Sequence, residues 1–363
     1  MKKVLTFGAV QYTFEVKRMV TIYDVAKYAG VSKSTVSLVL NDSDLVKKQT
    51  RDKVLDAMRT LNYIPNSNAR GLSAKLTYCL GIVIMAEEQL IPSYDFNQHT
   101  GLCSLNITNG IMSALVDTKY GALIENFCST DHPGELPQIV KNHRVDGVFI
   151  VGSPYDKGML TKIKDLKIPC VLVGVDSFEE DFDSVQADPG EGVQIGLRYL
   201  HESGHKKILF MNCPSTFHSA YVREKAFYHC AAELGIAVDP RWCVNCRKNH
   251  GKSAYYMMRE CWENGLRPDA VLAANGYLAM GAMRYLYEIG IKIPDEVSFF
   301  GYEDSSISGY CIPPLTTVNI HKEQMGKIAA EYLISRIEKP SIAIRNKKIP
   351  AEIVIRDSVK IIG

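Results

Sequence analysis

The sequence predicts an α/β body of two lobes, each a parallel sheet flanked by helices, preceded by a small all-α helix-turn-helix module. Three observations carry that prediction. The stretch from Val20 to Asn41, VTIYDVAKYAGVSKSTVSLVLN, has helical apolar spacing interrupted by a glycine. Beyond Thr77 continuous apolar strands alternate with amphipathic helices, the pattern of parallel sheets covered on both faces. Residues 77–363 are too many for one such sheet, so the body should divide into two lobes.

In the first module Thr21 is a good N-cap, and Asp24 three positions on completes a capping-box pattern. Val25, Ala26 and Ala29 form a small apolar face. Gly30 falls where the chain must turn sharply, and glycine accepts the positive φ this requires. Ser32 caps a second helix in which Val36 and Leu40 point inward, while Lys33, Ser34, Ser37 and Asn41 point out. That outer face is polar and weakly basic, with side chains that reach phosphates and base edges. The alternative is a helical hairpin on an ordinary surface. TRDKVLDAMRTL, from Thr50 to Leu61, places Val54, Leu55, Met58 and Leu61 on one face and closes a three-helix module.

Composition places the chain among soluble globular proteins, at 46% hydrophobic and 23% charged residues, with no apolar run long enough to span a bilayer. The start, MKKVLTFGAVQYTF, faintly imitates a signal peptide, but it has no small-residue cleavage site and is interrupted by Gln11 and Tyr12. The net charge of +2 hides an asymmetry. Residues 1–18 hold four Lys/Arg against one acid, residues 19–76 nine against five, and residues 77–363 hold 29 against 34. A cationic reader ahead of an acidic body fits that division.

Along the body, the expected strands are Leu80–Met85, Ala122–Asn126, Gly147–Val151, Cys170–Val173, Lys207–Met211, Ala270–Ala274 and Val297–Tyr302. The expected helices are Ile107–Thr118, Leu136–Asn142, Gly192–Ser203, Ser219–Leu234, Ser253–Glu263, Leu278–Ile289 and Glu323–Glu338. Ligands of open α/β sheets bind at the carboxyl ends of strands, so two facing sheets place a cleft between the lobes. Polar residues just past strand ends are the candidates to face it. Asn275 and Gly276 follow one strand, Glu303 and Asp304 another, and His321 and Lys322 follow Thr316-Thr-Val at an expected crossing. Arg223 and Phe227 lie one turn apart on one helix, where an arginine can fork onto hydroxyl or carboxylate groups and an aromatic can stack on a sugar face. The bland reading of each is a helix cap or a packing contact.

The ten cysteines are scattered through apolar segments such as Tyr78-Cys-Leu and Pro169-Cys-Val, which points to reduced, buried thiols in a cytoplasm. Cys243-Val-Asn-Cys246 with His250 is the one pair to weigh, and no second paired motif follows to complete a metal site. His201 and His205 end a helix, where a capping role is expected. Phosphate loops, dinucleotide fingerprints, zinc-protease helices and nucleophile elbows are all missing from the sequence, so neither enzyme nor cofactor chemistry is expected.

Thr21-Ile-Tyr-Asp-Val-Ala, Gly30-Val-Ser, Thr35-Val-Ser, Thr50-Arg, Asn62-Tyr and Pro65-Asn…Ala69-Arg-Gly-Leu resemble the lactose/galactose repressor (LacI/GalR) family. The resemblance continues through Ala273-Ala-Asn, Gly281-Ala-Met-Arg, Pro294-Asp-Glu-Val-Ser, Gly301-Tyr-Glu-Asp and Pro313-Pro-Leu-Thr-Thr, and so covers about residues 19 to 360. It implies a periplasmic-binding-protein-like body whose chain crosses between lobes three times. Residues 1–18 are then an extension, disordered or lying upstream of the true start at Met19. Residues 19–64 form the helix-turn-helix domain and 65–76 a hinge helix. Lobe 1 comprises 77–178 and 319–338, and lobe 2 comprises 179–318 and 339–363.

The implied function is a sequence-specific repressor in the cytoplasm. It would bind a pseudo-palindromic double-stranded operator as a homodimer or a tetramer, under control of a small effector, a sugar or sugar derivative. The alternative is a stand-alone solute-binding protein, which would share the body but lack the reader. For DNA the resemblance implies Thr21, Lys33, Ser34, Thr35, Ser37, Leu38 and Asn41, with Asn66, Ala69, Arg70 and Leu72 in the hinge. Leu38 stands where relatives commonly carry a guanine-reading arginine. For the effector it implies Gln194, Arg223, Phe227, Asn275 and Glu303, beside Lys322 from the strand-end reading. Three departures weaken any simple sugar assignment. Gly276 stands where Asp is usual, Glu303 replaces Asp, and Gln194 replaces an arginine.

Overall fold

The computed structural model describes residues 2–7, 10–15, 20–40, 43–63, 76–85, 101–128, 132–153, 155–174, 181–215 and 217–362. The chain divides into two units, Met1–Thr77 and Tyr78–Gly363.

In the first unit, β1 (Lys2–Phe7) and β2 (Val10–Glu15) pair antiparallel, with Lys2 opposite Glu15 and Phe7 opposite Val10. This corrects the expectation of a disordered arm. Val4, Thr6, Val10, Tyr12 and Thr13 are branched or aromatic residues that favour strands. Three helices follow, α1 (Ile22–Ala29), α2 (Lys33–Leu40) and α3 (Lys48–Thr60). They enclose a core of Val25, Ala26, Val36, Val39, Val54 and Ala57. Two inward positions differ from expectation. Val39 rather than Leu40 is buried, and Ala57 takes the place expected for Leu55, which is exposed. Smaller side chains suit a contact between three short helices that approach closely.

The second unit holds two parallel sheets. The first contains β3 (Cys79–Met85), β4 (Gly121–Phe127), β5 (Gly147–Val151), β6 (Cys170–Val173), β7 (Asp183–Ala187) and β13 (Asn346–Ile349), in the order β13-β7-β6-β5-β3-β4. The second contains β8 (Ile208–Asn212), β9 (Cys243–Asn245), β10 (Ala270–Ala273) and β11 (Ser298–Phe300), in the order β11-β10-β8-β9. The helices of the body are α4 (Gly101–Leu115), α5 (Gln138–Lys141), α6 (Lys157–Asp165), α7 (Pro189–Glu202), α8 (His218–Glu233), α9 (Gly251–Glu263), α10 (Gly276–Glu288) and α11 (Lys322–Glu338). The central strands β5, β6, β8 and β10 are buried along their whole length, as doubly covered parallel strands require.

Within the described residues the chain passes between the sheets three times. It leaves the first sheet after β7, returns through β12 (Thr317–Asn319) into α11, and leaves again after β13 through β14 (Glu352–Val354). The last two passages run side by side, β12 pairing antiparallel with β14. This moves two of the expected lobe boundaries. Residues 183–187 and 346–349 belong to the first sheet, whereas the sequence reading assigned both to lobe 2. The reason is polar satisfaction. Asp183 is buried, yet its carboxylate takes forked hydrogen bonds from Arg336 and Arg345, and Ser184 donates to Asn346 Oδ1 at 2.8 Å. A strand whose polar groups are paired in this way does not read as a core strand.

Glycines set the close contact between α4 and α11. A Cβ on Gly110 of α4 would lie 2.1 Å from the Glu323 carbonyl oxygen, and one on Gly326 of α11 would lie 2.1 Å from the Ile107 carbonyl oxygen. Both helices contribute to the inter-lobe cleft described below. Gly110→Val should therefore destabilise the protein by about 1–3 kcal/mol or more through overpacking. Urea unfolding measures this, and an unchanged midpoint would contradict the close approach.

Candidate functional site: a helix-turn-helix and an inter-lobe cleft

The reading module is built from local chemistry. Thr21 caps α1 in a full capping box, its backbone N–H donating to Asp24 Oδ2 at 2.8 Å and its hydroxyl donating to the same oxygen at 2.7 Å. Gly30 ends α1 at φ 68°, a left-handed conformation that the turn demands and glycine holds without strain. Ser32 caps α2, its Oγ accepting from the Thr35 backbone N–H at 3.1 Å. The Thr35 hydroxyl lies 2.9 Å from the Ser32 hydroxyl, so its side chain is held within the cap.

This leaves Lys33, Ser34 and Leu38 exposed on α2, with Ser37 half-buried. Tyr23, which the sequence reading passed over, is 64% exposed. The Lys33 ammonium sits 5.0 Å above its ring and 3.4 Å from its hydroxyl, which positions the charge. The spacing of ten residues across the turn gives no periodic signal, so the pair shows only in the fold. Asn41, Asn66, Ala69, Arg70 and Leu72 lie outside the described residues.

Leu38 is an apolar residue on the outer face of α2, able to pack on a thymine methyl but not to bond a guanine edge. Leu38→Arg should change preference at one base pair of each half-site by about 1–3 kcal/mol. Selection from random duplexes that returned the same site for both proteins would contradict that placement.

In the body, residues of both lobes line one cleft. Arg223, on α8, is buried. Its guanidinium lies 4.6 Å from the centre of the Tyr302 ring, donates to Cys213 Sγ at 3.4 Å and comes within 3.7 Å of Glu303 Oε1. Burial pushes the Tyr302 phenol up, keeping it neutral under the cation. Asn275 caps α10 with its Oδ1, which accepts from Leu278 N at 2.9 Å, and turns its Nδ2 to Asn249 Oδ1 at 2.5 Å.

Glu303 adopts φ 65°, a left-handed conformation costing a non-glycine residue about 1 kcal/mol or more. Its carbonyl accepts from Lys322 Nζ at 2.9 Å across a lobe crossing. Asn275, Arg223, Glu303 and Lys322 thus meet, joined by Asn249, Ser219, Tyr277 and Ser305, which the sequence reading missed. Those four sit in loops or first helical turns and carry no motif of their own.

Two expected cleft residues are elsewhere. Phe227 is 1% exposed in the core of the second lobe, stacked on Phe210 with ring centres 5.0 Å apart. One turn beyond Arg223, α8 has already passed behind the second sheet. Gln194 is half-buried on α7, its carbonyl 3.9 Å from Cys230 Sγ of α8, and is not among the residues lining the cleft.

The remaining chemistry-bearing groups are structural. Cys243 lies in β9 and Cys246 is buried; burial pushes the Cys243 thiol up to about 12 and Cys246 higher still, so both are neutral thiols at pH 7. His250 caps α9, its Nδ1 accepting from Ser253 N at 3.1 Å. His205 is buried, with Nε2 3.0 Å from the Lys360 carbonyl oxygen. Among the described residues no group of three His, Cys, Asp or Glu is placed to hold a metal, and no helix is long and apolar enough to cross a membrane.

A helix-turn-helix joined to a two-lobed body with a polar cleft defines a transcriptional regulator of the ligand-binding class. Comparison with known proteins agrees. The model for bacterial regulatory proteins of the lacI family matches residues 21–66, and that for the periplasmic binding protein-like domain matches residues 197–359. The HTH-type transcriptional repressor PurR of Histophilus somni (strain 129Pt) is 30% identical over 350 residues, 94% of this chain and 99% of the relative. The probable HTH-type transcriptional repressor ExuR of Bacillus subtilis (strain 168) is 28% identical over 352 residues, with the same coverage of both.

Among solved structures, the Lac repressor dimer bound to operator and the anti-inducer ONPF matches with TM-score 0.80 and 25% identity, over 94% of this chain and all of that one. The transcriptional regulator CelR–cellobiose complex matches with TM-score 0.68 and 25% identity, over 93% of this chain and 99% of that one. The chain belongs to the LacI family of bacterial transcriptional regulators.

Proposed function

We propose that this regulator represses transcription in the cytoplasm by binding a pseudo-palindromic operator as a homodimer. A small polar metabolite held between the lobes sets its affinity for DNA. Two-fold protein symmetry would match two half-sites. Lys33 and Ser34 then face base edges, with Leu38 against a thymine methyl. Thr21, Thr35, Ser37 and Asn41 lie on phosphates, and Asn66, Ala69, Arg70 and Leu72 reach the minor groove from the hinge.

The observation that carries the effector reading is the convergence of Arg223, Asn275 and Glu303 from one lobe with Lys322, at the start of α11, from the other. A ligand bonded to both lobes favours their closed arrangement, and through it changes DNA affinity by the difference in its own affinity for the two states. The cleft encloses a cavity of about 150 Å³.

Thermal unfolding of the full chain against sugars, nucleobases and amino acids tests the proposal. A ligand at a hundredfold its dissociation constant should add about 2.7 kcal/mol of stability. Asn275→Ala and Glu303→Ala should each remove most of that gain. A shift that survives both substitutions would place the ligand elsewhere.

A further inference from the structure

Lys322 opens α11, is 4% exposed and lines the cleft. A buried ammonium is normally paired with a carboxylate, because it carries three donors and a full charge. Here its hydrogen-bond partner is the neutral carbonyl of Glu303. Among the described residues no carboxylate oxygen comes within 4.0 Å of its Nζ. The acidic side chains nearest to it in sequence or across the crossing are engaged by other cations. Glu323 pairs with Lys327 at 2.8 Å, Asp304 with Arg356 at 2.8 Å, and the Glu303 carboxylate lies 3.7 Å from Arg223. Among the described residues, the charged side chains of the cleft wall are two cations and one carboxylate.

A second feature has the same sign. α4, α7, α8, α10 and α11 each place a first-turn residue on the cleft, namely Ser104, Pro189, Ser219, Tyr277 and Lys322. Helix N-termini present partial positive charge; Asp188 and Asn275 already cap α7 and α10, whereas α8 and α11 have no side-chain cap and favour an anion.

We propose that the effector carries an anionic group, a carboxylate or a phosphate, which completes the charge of Lys322. The rest of the ligand is a hydroxyl- or amide-bearing scaffold that meets Asn275 and Ser219. This rests on the cleft being the effector site. A neutral sugar leaves the ammonium without a counter-charge in the closed cleft, where water is excluded and an unpaired charge is most unfavourable. An anionic ligand gains a charge-assisted hydrogen bond at the same place.

The test is thermal unfolding of the full chain at constant ionic strength, with chloride replaced by inorganic phosphate or by acetate. D-Glucuronate and D-glucose 6-phosphate are run beside D-glucose as one ring with and without charge. At least one of the two small anions should raise the wild-type midpoint above the chloride control, and the matching charged sugar should exceed D-glucose. The phosphate and acetate arms tell the two anion classes apart. Lys322→Met should weaken the anion response about tenfold to a hundredfold. Lys322→Arg, which keeps the charge, should retain most of it and so separates loss of charge from loss of fold. Lys327→Met, a paired lysine outside the cleft, should leave it unchanged.

The proposal is overturned if neither anion moves the wild-type midpoint, or if Lys322→Met responds as the wild type does. A neutral ligand that stabilises wild type and Lys322→Met equally, and fails with Asn275→Ala, would keep the cleft as the effector site and remove the anion assignment alone.

Discussion

A chain beginning at Tyr78 should lose operator binding altogether and keep its affinity for the cleft ligand. Specific sites are bound about 10³- to 10⁷-fold more tightly than other DNA, and that margin comes from side chains on base edges. The candidates to supply it, Lys33, Ser34 and Leu38, all lie on α2 in the first unit. The non-specific share should go as well. It depends on cations that displace counterions from phosphates, and the body holds 29 Lys/Arg against 34 Asp/Glu over residues 77–363. The cleft residues all belong to the second unit, Tyr78–Gly363, so ligand binding should survive the deletion. Fluorescence anisotropy with labelled operator measures the first effect and calorimetry the second. Retention of DNA by the truncated chain would show that the body, not the helix-turn-helix, carries the binding.

The largest expected loss of stability follows from Asp183→Ala. Asp183 is 1% exposed on β7, and its carboxylate accepts from Arg336 Nη2 at 2.9 Å, Arg345 Nη2 at 2.9 Å and the Arg345 backbone N–H at 2.8 Å. These bonds fasten α11 and the strand β13 to the edge of the first sheet. Removing one member of a buried ionic cluster costs about 3–5 kcal/mol, because the remaining charges lose their partner. The pH dependence has a definite sign. Burial pushes the Asp183 carboxyl up, but the Arg345 and Arg336 side-chain bonds and the Arg345 N–H outweigh it and hold the carboxyl below its ordinary range. A lowered folded-state pKa contributes stability that is present above the unfolded value, about 3.9, and is lost as pH falls through the folded value. The gap between wild type and Asp183→Ala should thus be full at pH 7 and narrow below about pH 4. Urea midpoints at the two pH values give the answer, and a gap that stayed constant would contradict the linkage.

What the sequence made legible depended on whether local patterns carried the structure. The capping residues Thr21, Asp24 and Ser32 and the turn glycine Gly30 act within a few positions, so α1 and α2 were readable at once. Apolar strands such as β5 and β6 were read at their full bounds because burial on both faces imposes a continuous run. β7 and β13 were not, since DSVQA and NKKI satisfy their polar groups through partners as far as 162 positions away. α6 was missed because its first turn, Lys-Gly-Met-Leu, reads as a loop until Asp156 is seen capping it at 2.8 Å from Met159 N.

In the cleft, Asn275 and Glu303 were found from their places just past strand ends. Phe227 was misplaced because helical spacing from Arg223 fixes a face of α8 but not where along its length the cleft stops. Tyr23 lay hidden for the converse reason, its contact with Lys33 being made across the turn.

The most direct test of the account is operator affinity measured with and without a saturating ligand that stabilises the full chain through the cleft. In the wild type the ligand should change operator affinity by about 5- to 150-fold, the usual range of allosteric coupling, and bound operator should change ligand affinity by the same factor. With Asn275→Ala, operator affinity without ligand should be retained and the change on adding ligand at the same concentration should disappear. Equal operator affinity in the wild type with the cleft filled and empty would contradict the central claim, because the cleft would then bind without controlling DNA.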